Sequence, residues 1–278
     1  MPDPAATSAV EQLRAALAGR EYKLPPRPEV VSEVLALIND PKADSRRLAR
    51  LVHGDPALAA HVLRVANSPA WCGRSRIVTL QQAVARLGMS NLQEIVLCVG
   101  MSEVYRAPGH DQTAREVWRH ALATAFYAKL VARTCRENVE AAFLGGLLHS
   151  VGQAVVLREA ARRAKRKRIS VSREEIMEVV REKQREVGIG LAREWDLPDV
   201  VRASIEWFAT PEEASRHRSQ VHTVALAAQL SQEMLEGLPI DEEAIFPLAD
   251  ALDLYPEDLD AVRESEATVQ EAMKAMAA

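Results

Sequence analysis

Residues 139–157 read VEAAFLGGLLHSVGQAVVL, the most apolar window of the chain. Its length would suit a membrane span, but Glu140, His149 and Gln153 interrupt it and Gly145 and Gly146 sit side by side within it. A lipid-facing helix avoids that pattern. The window therefore reads as a pair of buried core helices, with the two glycines allowing close approach of a neighbouring backbone. Helices buried on every side need other helices around them, and the rest of the chain supplies these.

The sequence has 278 residues, 48% of them hydrophobic and only 4% aromatic. Apolar positions are mostly Ala, Leu and Val, which suits helix-on-helix packing better than a sheet sandwich. Asp55-Pro56 and Thr210-Pro211 place a capping side chain before a proline at the first helical position. Ser172 with Glu175, and Thr79 with Gln82, have the spacing of capping boxes. Val30, Val34, Leu37 and Ile38 fall at i, i+4, i+7 and i+8, and Leu92, Ile95, Val96 and Val99 form a second such stripe. Between the two stripes, residues 67–76 (NSPAWCGRSR) form an irregular loop carrying Trp71. One long helix is expected from about Asp111 to Cys135 and another from Val139 to Ser150. The predicted fold is all-α, as two packed helical bundles divided near residues 106–110 (RAPGH). The expected segments are residues 1–20 as an extension, 21–108 as the first bundle, 109–235 as the second, and 236–278 as acidic carboxy-terminal helices.

Three blocks carry a resemblance: residues 24–30 (LPPRPEV), 55–68 (DPALAAHVLRVANS) and 79–88 (TLQQAVARLG). Their order and spacing resemble the HDOD family of bacterial signalling proteins. Trp118-Arg-His120 and residues 142–152 (AFLGGLLHSVG) look like that family's version of the HD phosphohydrolase motif. The resemblance implies an amino-terminal helical bundle joined to a second, HD-like bundle related to HD and HD-GYP phosphodiesterases.

An HD hydrolase uses imidazoles and carboxylates around divalent ions, because the acids neutralise the cations and the metal lowers the pKa of a bound water. By the resemblance, His120 and His149 fall at the family's histidines, but Ser150 stands where the aspartate would be. A serine hydroxyl is neutral and a poor ligand for a hard cation. Downstream, Gln184 and the Phe208-Ala209 pair replace expected histidines, Ala228 falls near the closing aspartate, and Gln153 replaces a lysine that could meet a substrate phosphate. An acid outside the matched positions, such as Glu206, could still help two histidines hold a metal, but two neutral ligands alone make a weak site. The expectation is a degenerate phosphohydrolase pocket formed by His120, His149, Ser150, Gln153, Gln184, Phe208, Ala209 and Ala228, with no catalytic residue, metal or cofactor. Ser150 is not a triad nucleophile, since neighbours on a helix point about 100° apart and no third group accompanies it.

The expected function is that of a non-catalytic signalling adaptor acting through protein–protein interaction, with a nucleotide in the vestigial pocket and a homodimer left open. Trp71, Arg74 and Arg76 form a candidate interaction surface, against a plainer reading in which Trp71 tucks between the bundles and Asn67 caps a helix end. One alternative is a residual metal-dependent phosphohydrolase acting on a cyclic dinucleotide. The other is a nucleic-acid-binding regulator using residues 158–168, where seven basic residues meet one acid. No aromatics interleave that run, so a solvated helix face is the preferred reading. Residues 219–262 contain ten acids and no Lys or Arg, within a net charge of −4. Cys72, Cys98 and Cys135 are odd in number, widely spaced and without a CxxC pair, so reduced thiols are expected. The first residues show neither a basic leader nor an apolar segment, so the cytoplasm is the expected compartment.

Overall fold

The computed structural model describes residues 9–17, 22–39, 45–71, 76–239 and 241–277, and among them there is no strand. The first half holds α1 (Ala9–Leu17), α2 (Glu29–Asn39), α3 (Ser45–Gly54), α4 (Pro56–Ala66) and α5 (Leu80–Ser102). The second half holds α6 (Asp111–Thr134), α7 (Val139–Leu148), α8 (Val151–Lys167), α9 (Arg173–Glu194), α10 (Asp199–Trp207) and α11 (Arg218–Glu236). Three shorter helices follow, α12 (Glu242–Asp250), α13 (Pro256–Glu264) and α14 (Glu266–Ala277). The all-α reading holds.

Three of the four helix starts that the local chemistry marks are found. Asp55 Oδ1 accepts from the amides of Ala57 and Leu58, with Pro56 at the first position of α4. Both capping boxes form, Thr79 with Gln82 opening α5 and Ser172 with Glu175 opening α9. In each, two amides that lack an intrahelical partner are satisfied reciprocally. Thr210-Pro211 behaves differently. It opens only a single 3-10 turn, Pro211–Glu213, and the next helix starts at Arg218 after His217 adopts a φ of +49°. Thr210 directs its hydroxyl to the Glu213 carboxylate rather than to a helix amide, so the signal marks a turn and not a helix. Within α5, Gly88 takes φ +75° and kinks the element, a conformation that costs glycine little and a side-chain-bearing residue more.

The loop motifs act as ties. Asn67 Nδ2 donates to the carbonyls of Leu63 and Ile77, and its Oδ1 accepts from Ile77 N, all at 2.8 Å. This closes α4 onto the start of the next block. The proline-rich segment before α2 is anchored far along the chain: the fully buried Trp195 donates its indole N–H to Pro25 O at 3.0 Å, and Arg27 donates to the Trp195 carbonyl.

α2 to α5 pack on one another, α6 packs against α7 and α11, and α8 lies against α9. Small residues set these distances. A Cβ on Gly152 would fall 2.0 Å from the Gln184 carbonyl oxygen, and one on Gly146 would fall 2.7 Å from Ala125 Cα. The α8–α9 and α6–α7 crossings therefore exist because those positions carry no side chain. α14 returns across α4, α5 and α6, and one apolar core runs through both halves. Leu92, Ile95 and Val96 are buried in it as their stripe requires, as are Val34 and Cys98. The side chains of Leu37 and Ile38 lie outside the described residues, as do Cys72 and Arg74.

Residues 139–167 are the one stretch, among those described, with the length and hydropathy of a membrane span, and the most apolar part of it is 83% buried inside the protein. His149 and Ser150 break the stretch into α7 and α8. Its hydropathy is satisfied by the core.

Candidate functional site

His149 is the residue after the last turn of α7, and its amide closes that turn on Gly145 O at 2.8 Å. The side chain folds back so that Nδ1 lies 2.6 Å from Gly146 O. A carbonyl only accepts, so Nδ1 carries the proton and Nε2 presents a lone pair. That Nε2 is buried and has no hydrogen-bond partner. His120 reaches the same place from the middle of α6, its ring centroid 5.3 Å from that of His149. His120 Nε2 lies 3.2 Å from Ala228 O on α11 and must be the protonated nitrogen by the same reasoning. The Phe208 ring, at the end of α10, packs edge-on against His149 at 4.7 Å. Four helices thus converge on two imidazoles.

The surroundings keep both rings neutral. Burial, reinforced by the neighbouring His120, pushes the His149 pKa down to about 3. Burial also lowers that of His120, against a smaller opposing effect of its bond to Ala228. Desolvation penalises the charged form and outweighs the opposing field of Glu236, which acts on His120 without bonding it.

Other members of the expected pocket stand elsewhere. Ser150 is buried but turns toward Tyr105, whose hydroxyl lies 3.5 Å from Ser150 Oγ and donates to Leu147 O at 2.8 Å. Ala209 is exposed on the surface and is not a pocket residue; it lies just past the end of α10, beyond Phe208. Gln184 contributes its backbone to the close contact with Gly152, while its Oε1 is buried without a partner. Gln153, one residue after Gly152, is half-buried, and its amide bonds the Ser150 carbonyl at 2.9 Å. Glu206, one example of a rescuing acid, pairs with Arg216 at 3.1 Å, and Arg216 in turn lies 4.6 Å over the Trp207 ring.

A divalent ion does not fit these residues. His149 is oriented as metal-binding histidines are, with its distal N–H on a backbone carbonyl. His120, however, commits its Nε2 to the Ala228 carbonyl, and a phenyl ring covers a third side. Among the described residues no three His, Cys, Asp or Glu side chains gather in a group that could hold an ion. Two neutral ligands leave both charges of such an ion uncompensated in a dry interior.

Outside the pocket, Trp71 is half-buried and lines a cavity of about 260 Å³ with Asn91 of α5, Lys129 and Arg133 of α6 and residues of α14. Arg76 is exposed. The basic run is divided by its partners: Arg162 and Arg163 both bond Glu159, whereas residues 165–168 are exposed at the end of α8. The sequence did not single out Tyr105, nor the buried pair of Lys129 Nζ with Glu94 at 2.6 and 2.8 Å. Glu94 lies beside the apolar stripe of α5, and that charged residue was the available signal for it.

The HDOD domain family model matches residues 24–211. Among solved structures, an HDOD domain protein from Geobacter sulfurreducens is 22% identical and superposes with a TM-score of 0.70, covering 96% of this chain and 97% of that one. A candidate signal transduction protein from Marinobacter aquaeolei VT8 gives 22% identity and 0.72 over 97% of this chain and 66% of that one. A candidate metal-dependent phosphohydrolase from Shewanella amazonensis SB2B gives 23% and 0.70 over 95% and 99%. At these identities the likeness speaks for the fold. A curated relative, an uncharacterized protein of Treponema pallidum (strain Nichols), is 25% identical over 227 residues, 78% of this chain and 44% of that protein, so the chain spans less than half its length. With the family match extending over most of the sequence and the all-helical fold shared, the chain belongs to the HDOD family.

Proposed function

We propose that the protein is a non-catalytic signalling adaptor whose HD-like pocket has become a structural element. The observation that carries this reading is the His120–His149 pair: two neutral imidazoles bound to backbone carbonyls and covered by Phe208, with no carboxylate in contact. Such a pair can neither neutralise a catalytic ion nor generate a metal hydroxide. Ser150 cannot act in their place, because its contact is Tyr105 and not an imidazole. The role left to the fold is to present surfaces to a signalling partner. The cytoplasm is the compartment we assign, in keeping with Cys98 and Cys135 as free thiols.

Hydrolysis of a panel of linear and cyclic phosphodiesters, with manganese supplied, tests the reading. The expected rate is that of buffer for wild type and for His149→Leu alike. Turnover that disappears in His149→Leu would establish a working hydrolase and remove the proposal.

A further inference from the structure

A large cavity whose lining includes neither His120 nor His149 lies in the groove where α6 leaves the loop after α5. It measures about 710 Å³, within the range of roughly 300–1,000 Å³ typical of small-molecule sites. One wall is a face of α6: Asp111, Ala114, Arg115, Trp118 and Arg119, spaced i, i+3, i+4, i+7 and i+8. That spacing normally carries an apolar stripe into a core. Here it carries two guanidinium groups, and among the described residues neither Arg115 nor Arg119 has an ion-pair or hydrogen-bond partner. Arg106 stands at the rim, paired with Glu103 at 3.1 Å. Asp111 is the one acid in the lining.

His61 from α4 and Met276 from α14 complete the lining. Trp118 is half-buried in the groove, and its ring is held by Tyr105 at a centroid distance of 5.1 Å. An aromatic platform and two free guanidinium forks one helical turn apart form one complementary set. Guanidinium groups bind phosphate oxygens bidentately, and an indole offers a stacking surface to a base.

We propose that this groove binds a nucleotide carrying two or more phosphates, with the phosphates on Arg115 and Arg119 and the base against Trp118. The site is distinct from the His120–His149 pocket and does not depend on whether that pocket is catalytic. Tyr105 connects the two, since it packs on Trp118 and bonds the Leu147 carbonyl just before the His149-Ser150 turn.

The test is an equilibrium titration of the full chain with ATP, GTP, inorganic tripolyphosphate, guanosine and a poly-glutamate peptide. ATP or GTP is expected to bind with micromolar affinity, and tripolyphosphate and guanosine at least tenfold more weakly. Arg115→Ala with Arg119→Ala should weaken the nucleotide at least tenfold, as should Trp118→Leu, while Lys165→Ala with Arg166→Ala leaves it within twofold. The arginine pair is exposed, so the double variant tests the site even if Trp118→Leu disturbs Tyr105. No nucleotide binding up to millimolar concentration, affinity untouched by the arginine substitutions, tripolyphosphate binding as tightly as ATP or GTP, or poly-glutamate binding in preference to them would each overturn the proposal. Hydrolysis of the bound nucleotide would contradict the non-catalytic reading while leaving this site standing.

Discussion

At the scale of single residues, His149 concentrates the chemistry. Its place in the chain was legible because an imidazole inside so apolar a window has no packing role that leucine would not fill better. What Ser150 does was not legible: its hydroxyl meets Tyr105, a residue 45 positions away that belongs to the other side of the bundle boundary. The loss of Ala209 from the pocket has the same origin, since only the end point of α10 decides which of two adjacent residues faces inward. The neutral His149 has a measurable consequence. Its folded pKa of about 3 lies far below the roughly 6.5 of an unfolded histidine. Between those values the unfolded chain binds the additional proton, so stability falls as pH drops below about 6.5 and is fully present above it. The slope from this residue is about 1.4 kcal/mol per pH unit, with His120 contributing in the same direction. Chemical denaturation of wild type and His149→Leu across pH 5 to 8 should show the variant losing less stability on acidification, by about one proton taken up on unfolding near pH 5. Parallel curves for the two proteins would mean that His149 is charged, or solvated, in the folded state.

At the scale of elements, capping and periodicity made the helices readable, because those signals are local. Their limit shows at Thr210-Pro211, where the same chemistry closed a turn, since the Glu213 carboxylate competed for the threonine hydroxyl. Helix crossings depend on residues distant in sequence. Gly145-Gly146 announced a close approach, but nothing local marks Gly152 as the point where α8 touches the backbone of α9. Gly152→Ala would drive a methyl into the Gln184 carbonyl, which as backbone cannot swing aside. The expected cost is about 3 kcal/mol, or a Tm lower by about 6–12 °C. Gly190, on the same helix as Gln184, has no atom within 4 Å of where an alanine methyl would stand, so Gly190→Ala should be neutral or stabilise by up to about 1 kcal/mol through helix propensity. Calorimetry of the two variants separates packing from propensity, and similar Tm changes in both would refute the account of the crossing.

At the scale of the molecule, α14 and the continuous core join the two halves into one body. Proline and glycine near residues 106–110 made the break between α5 and α6 readable. The groove beside it was not, because it needs α4, α6 and α14 together, and α14 lies beyond the stretch matching the family. The central claim is that this family member has kept the HD-like fold while giving up the metal centre. Metal analysis of the purified full chain, followed by titration with Mn²⁺, Fe²⁺ and Zn²⁺, tests it most directly. The account predicts far less than one ion per chain, a Tm unmoved by added metal, and no difference between wild type and His149→Leu. One or two ions per chain, lost in His149→Leu, would contradict it.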